Sequence, residues 1–327
     1  MEYTTQNRSI ITSIPLLIVY SPVGHHAEPC EQGDRVKVKP LCAACTLLTR
    51  ARELEKLSGL NVEDSLASFR SIAESVGVYL GPDIELSLLA TVSFRRLKSI
   101  VGVDDVYAEI KKELEPAVRE AVETINEKLL RLEGTERFHF ALKAAVAGNA
   151  LDLARPYLDP YIHDATSVSR IELRRNEAAE LYNLLHAGKV NVIAYVFDSS
   201  LEALYDTLFI KVLRENGATV IGVVKSDTFE DDATIKELKR LGVIDYLDDV
   251  IETGSDAASL IVDEVNEEAI KVVNDADAVI VKGAMNHLHF VNNRLGKRVY
   301  SLMRVPCKFL AQELGVNLGS YVAVRAI

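Results

Sequence analysis

At 327 residues the chain is long enough for two packed domains, and 48% hydrophobic with 26% charged residues is the composition of an ordinary soluble globular protein. The formal net charge of −11 excludes a protein whose main surface wraps nucleic acid. A small phosphorylated ligand stays compatible with that charge, provided a cation bridges the repulsion.

Residues 1–40 carry Pro15, Pro22, Gly24, Pro29 and Pro40 and read as an irregular N-terminal extension, which the sequence does not tie to the native protein. The apolar run Ile10–Val23 is broken by Thr12, Ser13, Pro15 and Pro22, whereas a spanning helix needs about 20 apolar residues. Glu2 offsets Arg8, so the basic flank of a signal peptide is missing, and a cytoplasmic protein without a membrane partner is expected. Glutamine occurs only at Gln6, Gln32 and Gln312 while Glu, Lys and Arg abound, a thermophile-like bias.

Residues 41–165 read as a helical domain. Leu47, Leu48, Ala51, Leu54 and Leu57 recur at helical spacing, as do Ile110, Leu114, Val118, Val122, Ile125 and Leu129. Gly59, Gly81-Pro82 and Gly102 punctuate them as turns. Pro156 and Pro160 break the pattern, and a helix is expected over Ser169–Leu185. Residues 166–327 then alternate. Strands are expected at Val190–Phe197, Thr219–Val224, Val250–Ile251, Ala278–Val281 and Tyr321–Val324, with helices at Ala233–Leu241, Ala257–Val262 and Glu267–Val273. Short apolar strands separated by amphipathic helices imply an α/β domain with a parallel sheet covered on both faces.

Ligands of such sheets bind beyond the carboxyl ends of the strands, so the residues after each apolar run are informative. After the first come Asp198, Ser199, Ser200, Leu201 and Glu202, then Asp206, with no glycine between Gly188 and Gly217. A dinucleotide would need a glycine-rich turn there. After the second come Lys225 and Ser226, then Glu230, Asp231 and Asp232 before Ala233-Thr234. Helix capping by Ser199, Ser200 or the aspartates is the plain alternative. Two adjacent acidic strand tips would nonetheless repel without a cation, and oxygen ligands suit a hard divalent ion such as Mg²⁺ or Mn²⁺. The third loop, Thr253-Gly254-Ser255-Asp256, offers free backbone N–H groups to an anion. The fourth strand ends in Lys282-Gly283 with Asn286 beyond. Lys282 is there to counter charge on phosphoryl oxygens, or is simply a solvated strand-end lysine.

The order of these motifs resembles the metal-dependent damage-control phosphatases, also known as the domain-of-unknown-function-89 family. Six elements carry the likeness: Gly148-Asn149-Ala150-Leu151-Asp152; Asp198 to Glu202 with Asp206; Asp231-Asp232-Ala233-Thr234; Gly254-Ser255-Asp256; Lys282-Gly283 with Asn286; and Cys42 with Cys45. The resemblance implies a helical domain before a Rossmann-like α/β domain, and phosphatase activity dependent on a divalent metal (Mg, Mn, Co or Ni). It implies Asp198, Ser199 and Asp232 as metal ligands and Asn149, Asp152, Lys282 and Asn286 around the phosphate, beside which Glu202, Ser255 and Asp256 are further candidates. Three positions depart from the family pattern: Ser199 stands where an Asn ligand is usual, Leu201 where a Gly is usual, with a narrowed pocket expected, and Asp231 where an Asn is usual.

Cys42 and Cys45, with Cys30, His25 and His26 nearby in sequence, leave zinc, redox and inert-packing readings open. His287 and His289 fall close to the expected pocket. The leading expectation is a metal-dependent phosphatase acting on a small phosphorylated metabolite such as a sugar phosphate, with Asp198 and Lys282 as catalytic residues. A non-catalytic metal- or phosphometabolite-binding protein on the same fold is the alternative, and a nucleoside-cofactor transferase a weaker third. Oligomeric state is not legible.

Overall fold

The computed structural model describes residues 36–57 and 60–326. The expected irregular extension up to residue 35, the zinc candidates Cys30, His25 and His26, and the turn at Gly59 lie outside the described residues. Five helices come first: α1 (Pro40–Lys56), α2 (Val62–Tyr79), α3 (Leu86–Val101), α4 (Ala108–Leu129) and α5 (Gly134–Gly148). Pro40 at the first turn of α1, Asn61 accepting the Asp64 N–H ahead of α2, and Gly102 in the left-handed region after α3 set three of their ends. A 3₁₀ turn at Asn149–Leu151 follows α5 directly.

The second part alternates as α6 (Ala165–Arg170), β1 (Leu173–Asn176), α7 (Glu180–His186), β2 (Val192–Val196), α8 (Glu202–Glu215), β3 (Thr219–Val224), α9 (Ile235–Leu241), β4 (Asp249–Glu252), α10 (Glu267–Asp275), β5 (Ala278–Lys282), α11 (Gly283–Asn293), β6 (Val299–Arg304), α12 (Lys308–Leu314) and β7 (Tyr321–Arg325). The seven strands form one sheet in the order β1-β7-β6-β5-β2-β3-β4, parallel except that β7 runs antiparallel to β6. The fold is thus a Rossmann-like, mostly parallel α/β sheet preceded by helices.

Two sequence expectations fail. The helix expected over Ser169–Leu185 is split into α6 and α7, because Leu173–Asn176 leaves the helical path to pair with β7. No helix forms at Ala257–Val262; its backbone and side chains are used elsewhere, the Ala258 N–H donating to Thr91 Oγ1 (2.9 Å) and the Ser259 hydroxyl to Asn286 Oδ1 (2.7 Å). Strand β6 does not stand out in the sequence, yet it is buried along nearly its whole length between β5 and β7.

One hydrophobic core runs from α4 and α5 through α8 to the sheet, crossing the boundary expected near residue 165. A close crossing is at Gly148, where a Cβ would stand 2.8 Å from Tyr205 Cβ and 3.2 Å from Glu202 Cγ. A second core joins Leu54, Phe94 and Tyr107 of the helical layer to Phe229, Ala258 and Met285 near the strand tips. Among the described residues no helix is long and apolar enough to cross a membrane.

Candidate metal centre

The chain leaves β2 to build β3 and β4 on one side, then returns to place β5 and β6 on the other. A crevice therefore opens where the carboxyl ends of β2 and β5 diverge. Asp198 follows β2 by two residues and is buried, 2% exposed. Gly283, the first residue after β5, has φ +78°, and a Cβ there would lie 1.8 Å from Asp198 Oδ2. Only glycine fits, because both the backbone conformation and the space demand it. From the helical side, Asn149 donates Nδ2–H to Asp198 (3.2 Å) and to Glu202 (3.0 Å), while its side-chain Oδ1 accepts the Arg304 N–H (2.9 Å).

The β2 and β3 tips are stitched together by main chain. Ala233 N–H donates to the Asp198 carbonyl (2.6 Å), Ser200 N–H to the Asp231 carbonyl (2.9 Å), and Ser199 forms an antiparallel bridge with Asp232. These bonds hold Asp198, Ser199 and Asp232 side by side. None of the three caps a helix. Thr234 caps α9 by accepting the Glu237 N–H, and Leu201 stands at the start of α8 without any side-chain cap. The capping expected from Ser199 or Ser200 is absent; both hydroxyls are buried without a hydrogen-bond partner.

Burial pushes the Asp198 carboxyl well above the ordinary range, and Asp232, Glu202 and Asp152 push it further. Asp231 is raised well above its usual value by burial and then by Asp152 and Asp232. Asp232 is raised by burial to about 7 although Lys225, 3.3 Å away, opposes the shift. Asp152 is raised by burial against the pull of Arg155, whose Nε lies 2.5 Å from it. Several carboxylates thus crowd a dry site holding fewer cations than charges. Among the described residues no group of three or more His, Cys, Asp or Glu side chains is arranged to enclose a metal. Two carboxylates plus the buried, partnerless Ser199 hydroxyl nonetheless form an all-oxygen donor set fitting a hard divalent cation.

Lys282 lies elsewhere than the sequence suggests. It is fully buried, neither solvated nor facing the crevice; its Nζ donates to the Ala145 carbonyl (2.7 Å) and Asp206 (2.5 Å) and lies 2.5 Å from Glu202. Two hydrogen bonds and an ion pair thus engage its charge inside the protein rather than at a phosphoryl oxygen. Glu202, expected near substrate, is likewise fully buried and occupied by Lys282 and Asn149, and burial raises it to about 7. Asn286 braces the strand ends, donating to the Phe197 (3.3 Å) and Lys282 (2.9 Å) carbonyls.

The β4 loop is not part of the cluster either. Asp256 accepts from Arg95 (2.8 and 2.6 Å) and pairs with Lys98 (3.2 Å), and Ser255 Oγ accepts the Ala257 N–H (3.0 Å). Leu201 is 2% exposed within the main core, with φ −73°, which any residue adopts. His287 bonds Ser301 (2.8 Å), and His289 bonds Glu85 (2.9 Å) and the Leu260 carbonyl (2.7 Å), outside the carboxylate cluster. Cys42, Cys45 and Cys307 are free thiols, and burial pushes Cys45 up to about 11, which favours inert packing over redox chemistry.

Two arginines escape the sequence reading. Arg155 and Arg304 join Asn149, Asp152, Ala284 and Pro306 around a narrow cleft whose free space of about 10 Å³ admits about one water. Arg155 follows Asp152 by one helical turn's spacing, a signal available in the sequence; Arg304 ends β6, which is not.

Comparison with known proteins bears on the family and the fold. Residues 38–322 match the family described as the damage-control phosphatase ARMT1-like domain. An uncharacterised protein of Methanocaldococcus jannaschii is 26% identical over 302 residues, covering 90% of this chain and 97% of that one. A damage-control phosphatase of Archaeoglobus fulgidus is 28% identical over 297 residues, 88% of this chain and 99% of its own. Another from Pyrococcus horikoshii is 28% identical over 243 residues, 73% and 81% of the two chains. The crystal structure of a domain-of-unknown-function-89 family protein from Pyrococcus horikoshii superposes with a TM-score of 0.78 at 24% identity, covering 90% of this chain and 100% of that one. With the match spanning both the helices and the sheet, the chain belongs to the damage-control phosphatase ARMT1-like domain family.

Proposed function

We propose that this chain is a metal-dependent phosphatase acting on a small phosphorylated metabolite, a sugar phosphate being the leading class. The observation that carries the reading is the main-chain pairing that brings Asp198 and Ser199 beside Asp232 on adjacent strand tips, with the Ser199 hydroxyl buried and partnerless. Those three residues would hold the divalent metal, which when bound supplies positive charge to the phosphoryl oxygens.

The chain's own residues do the rest. Gly283 lets the backbone after β5 approach Asp198 within contact distance. Asn149 orients the Asp198 carboxylate by its amide N–H and is itself oriented by the Arg304 backbone. Lys282 neutralises Glu202 and Asp206 beneath the site, so that the field at Asp198 is set from inside the protein. Arg155 and Arg304 flank the cleft leading to Asp152 and Asn149, where an anionic substrate would meet them. Main-chain bonds across the two tips preorganise the site and lower the cost of assembling it around a substrate.

The test is hydrolysis of an aryl phosphate with Mg²⁺, Mn²⁺, Co²⁺ or Ni²⁺ in turn. Turnover that chelator abolishes and Asp198→Asn reduces by more than about a hundredfold supports the proposal. Turnover that survives chelation sinks it. One second reading has its own observations: Ser199 gives a weaker ligand than the family's usual Asn, and the cleft is narrow, both of which favour a binder without turnover. Phosphate-ester binding with no hydrolysis under any of the four metals would select that reading.

A further inference from the structure

The acidic loop is gripped from the helical layer. Phe229 packs edge-on against Phe94 of α3, ring centroids 5.2 Å apart. Glu230 forms a buried ion pair with Arg50 of α1. Asp231 bridges the two parts, its carboxylate accepting the Leu153 N–H (3.0 Å) and its carbonyl the Ser200 N–H (2.9 Å), and Asp232 meets Lys225 (3.3 Å) and the Ser199 bridge. Phe229, Glu230 and the Asp231 carboxylate are thus anchored in the helical part, while the Asp231 carbonyl and Asp232 engage the strand tips. The crossover to the strand tips follows Glu230, whose φ is +47°, in the left-handed region. A glutamate has no intrinsic preference for that conformation; the Asp232 N–H to Phe229 carbonyl bond spans it (3.0 Å), and its side chain is held from outside the loop by Arg50.

Arg50 is placed to do so. It is fully buried, its Nε lies 3.0 Å from Glu53 one turn along α1, and its guanidinium stacks 4.9 Å over the same Phe94 ring that receives Phe229. Glu53 is fixed in turn by the Tyr107 hydroxyl (2.5 Å) from the residue preceding α4. Three helical elements therefore orient one guanidinium, and that guanidinium orients one carboxylate. Arg50 has no contact with Asp198, Ser199 or Asp232 among its ion pairs and hydrogen bonds.

We infer that Arg50 is a positioning residue, which by gripping Glu230 holds residue 230 in the left-handed conformation and so aims the Asp232 carboxylate at the metal centre. The consequence for metal binding rests on the proposed function; the conformational claim does not. The helical layer is, on this view, part of the device that sets the ligand geometry.

Two readouts test it: Mn²⁺ affinity by calorimetry, and hydrogen exchange at the Asp232 and Ala233 amides, which bond the Phe229 and Asp198 carbonyls in the intact loop. Arg50→Met is expected to weaken Mn²⁺ binding about tenfold or more and to speed exchange at both amides. Adding Glu230→Gly, which adopts the left-handed region unaided, is expected to bring both back to within about threefold of the parent. Folded Arg50→Met with unchanged affinity and exchange overturns the inference, as does a double variant no better than the single one. If Arg50→Met does not fold, Glu230→Ala and Glu230→Gly replace it. Loss in the alanine variant and retention in the glycine variant support the positioning role, and equal behaviour overturns it. A parent chain that binds no Mn²⁺ overturns the proposed function alone, since exchange still reads the conformation.

Discussion

The strand-tip loops after β3 and β4 are both acidic, yet the protein uses them in opposite ways. Asp256 after β4 lies between Arg95 and Lys98, and those partners hold its carboxyl below the usual range against its burial. Asp198 and Asp232, at the β2 and β3 tips, are buried deeper and are raised instead, by burial first and, for Asp198, by the Asp232 charge next. A carboxylate cluster marks a candidate cation site when the protein leaves it short of positive charge. Where arginine and lysine already complete the shell, the same residue type is structural.

That contrast can be broken by substitution, and the largest effect is expected at Gly283. Gly283→Ala puts a methyl group into the Asp198 carboxylate and strains the backbone, so metal binding should vanish and Tm should fall by several degrees, about 2 kcal/mol or more. Calorimetry with Mn²⁺ and a thermal melt check it; an alanine variant with parental affinity would mean that Asp198 is not in the centre. Asp232→Asn should weaken metal binding about tenfold or more while leaving the metal-free protein as stable or more so, because it removes a charge from a crowded set. The matching change at the other tip, Asp256→Asn, should leave metal affinity alone and cost no more than about 1 kcal/mol, Arg95 being substantially exposed. Equal losses of affinity at Asp232 and Asp256 would erase the distinction between the two loops.

A smaller effect is expected from Ser199→Asn, which restores the family's usual amide ligand: metal affinity should rise a few-fold, about 1 kcal/mol. Turnover appearing only in this variant would favour the non-catalytic reading of the natural chain. The mildest prediction concerns pH. Glu53 and Glu202 are raised by burial from 4.5 to about 7. Between those values the folded protein holds protons that the unfolded chain has released, so their contribution to stability is full below about pH 4.5 and is lost as pH rises through 7. The metal-free Tm should therefore drift down from pH 5 to pH 8; a rise across that window would contradict the raised carboxyls.

Much of this was legible in the chain. The helical spacing of Ile110, Leu114, Val118, Val122, Ile125 and Leu129 emerges as α4, and the apolar runs at 219–224 and 278–281 emerge as β3 and β5. Strand β1 was hidden because Leu173–Asn176 carries two arginines and owes its conformation to β7, about 150 residues on. The missing helix at 257–262 failed for a related reason: its polar groups bond Thr91 and Asn286 instead of one another.

By itself, then, the sequence determined the order of helices and strands, the acidic character of the β2 and β3 tips, and the glycine beside Asp198. These are local properties, written in periodicity and in which residue follows an apolar run. Only the tertiary structure decided which charges are paired. It turned Lys282 inward onto Glu202 and Asp206, gave Asp256 to Arg95 across 161 positions and Glu230 to Arg50 across 180, and left Asp198, Ser199 and Asp232 together. A charge's partner is chosen by folding rather than by neighbourhood in the chain, because the strength of a buried pair depends on distance and dryness, and both exist only once the helices and sheet have packed.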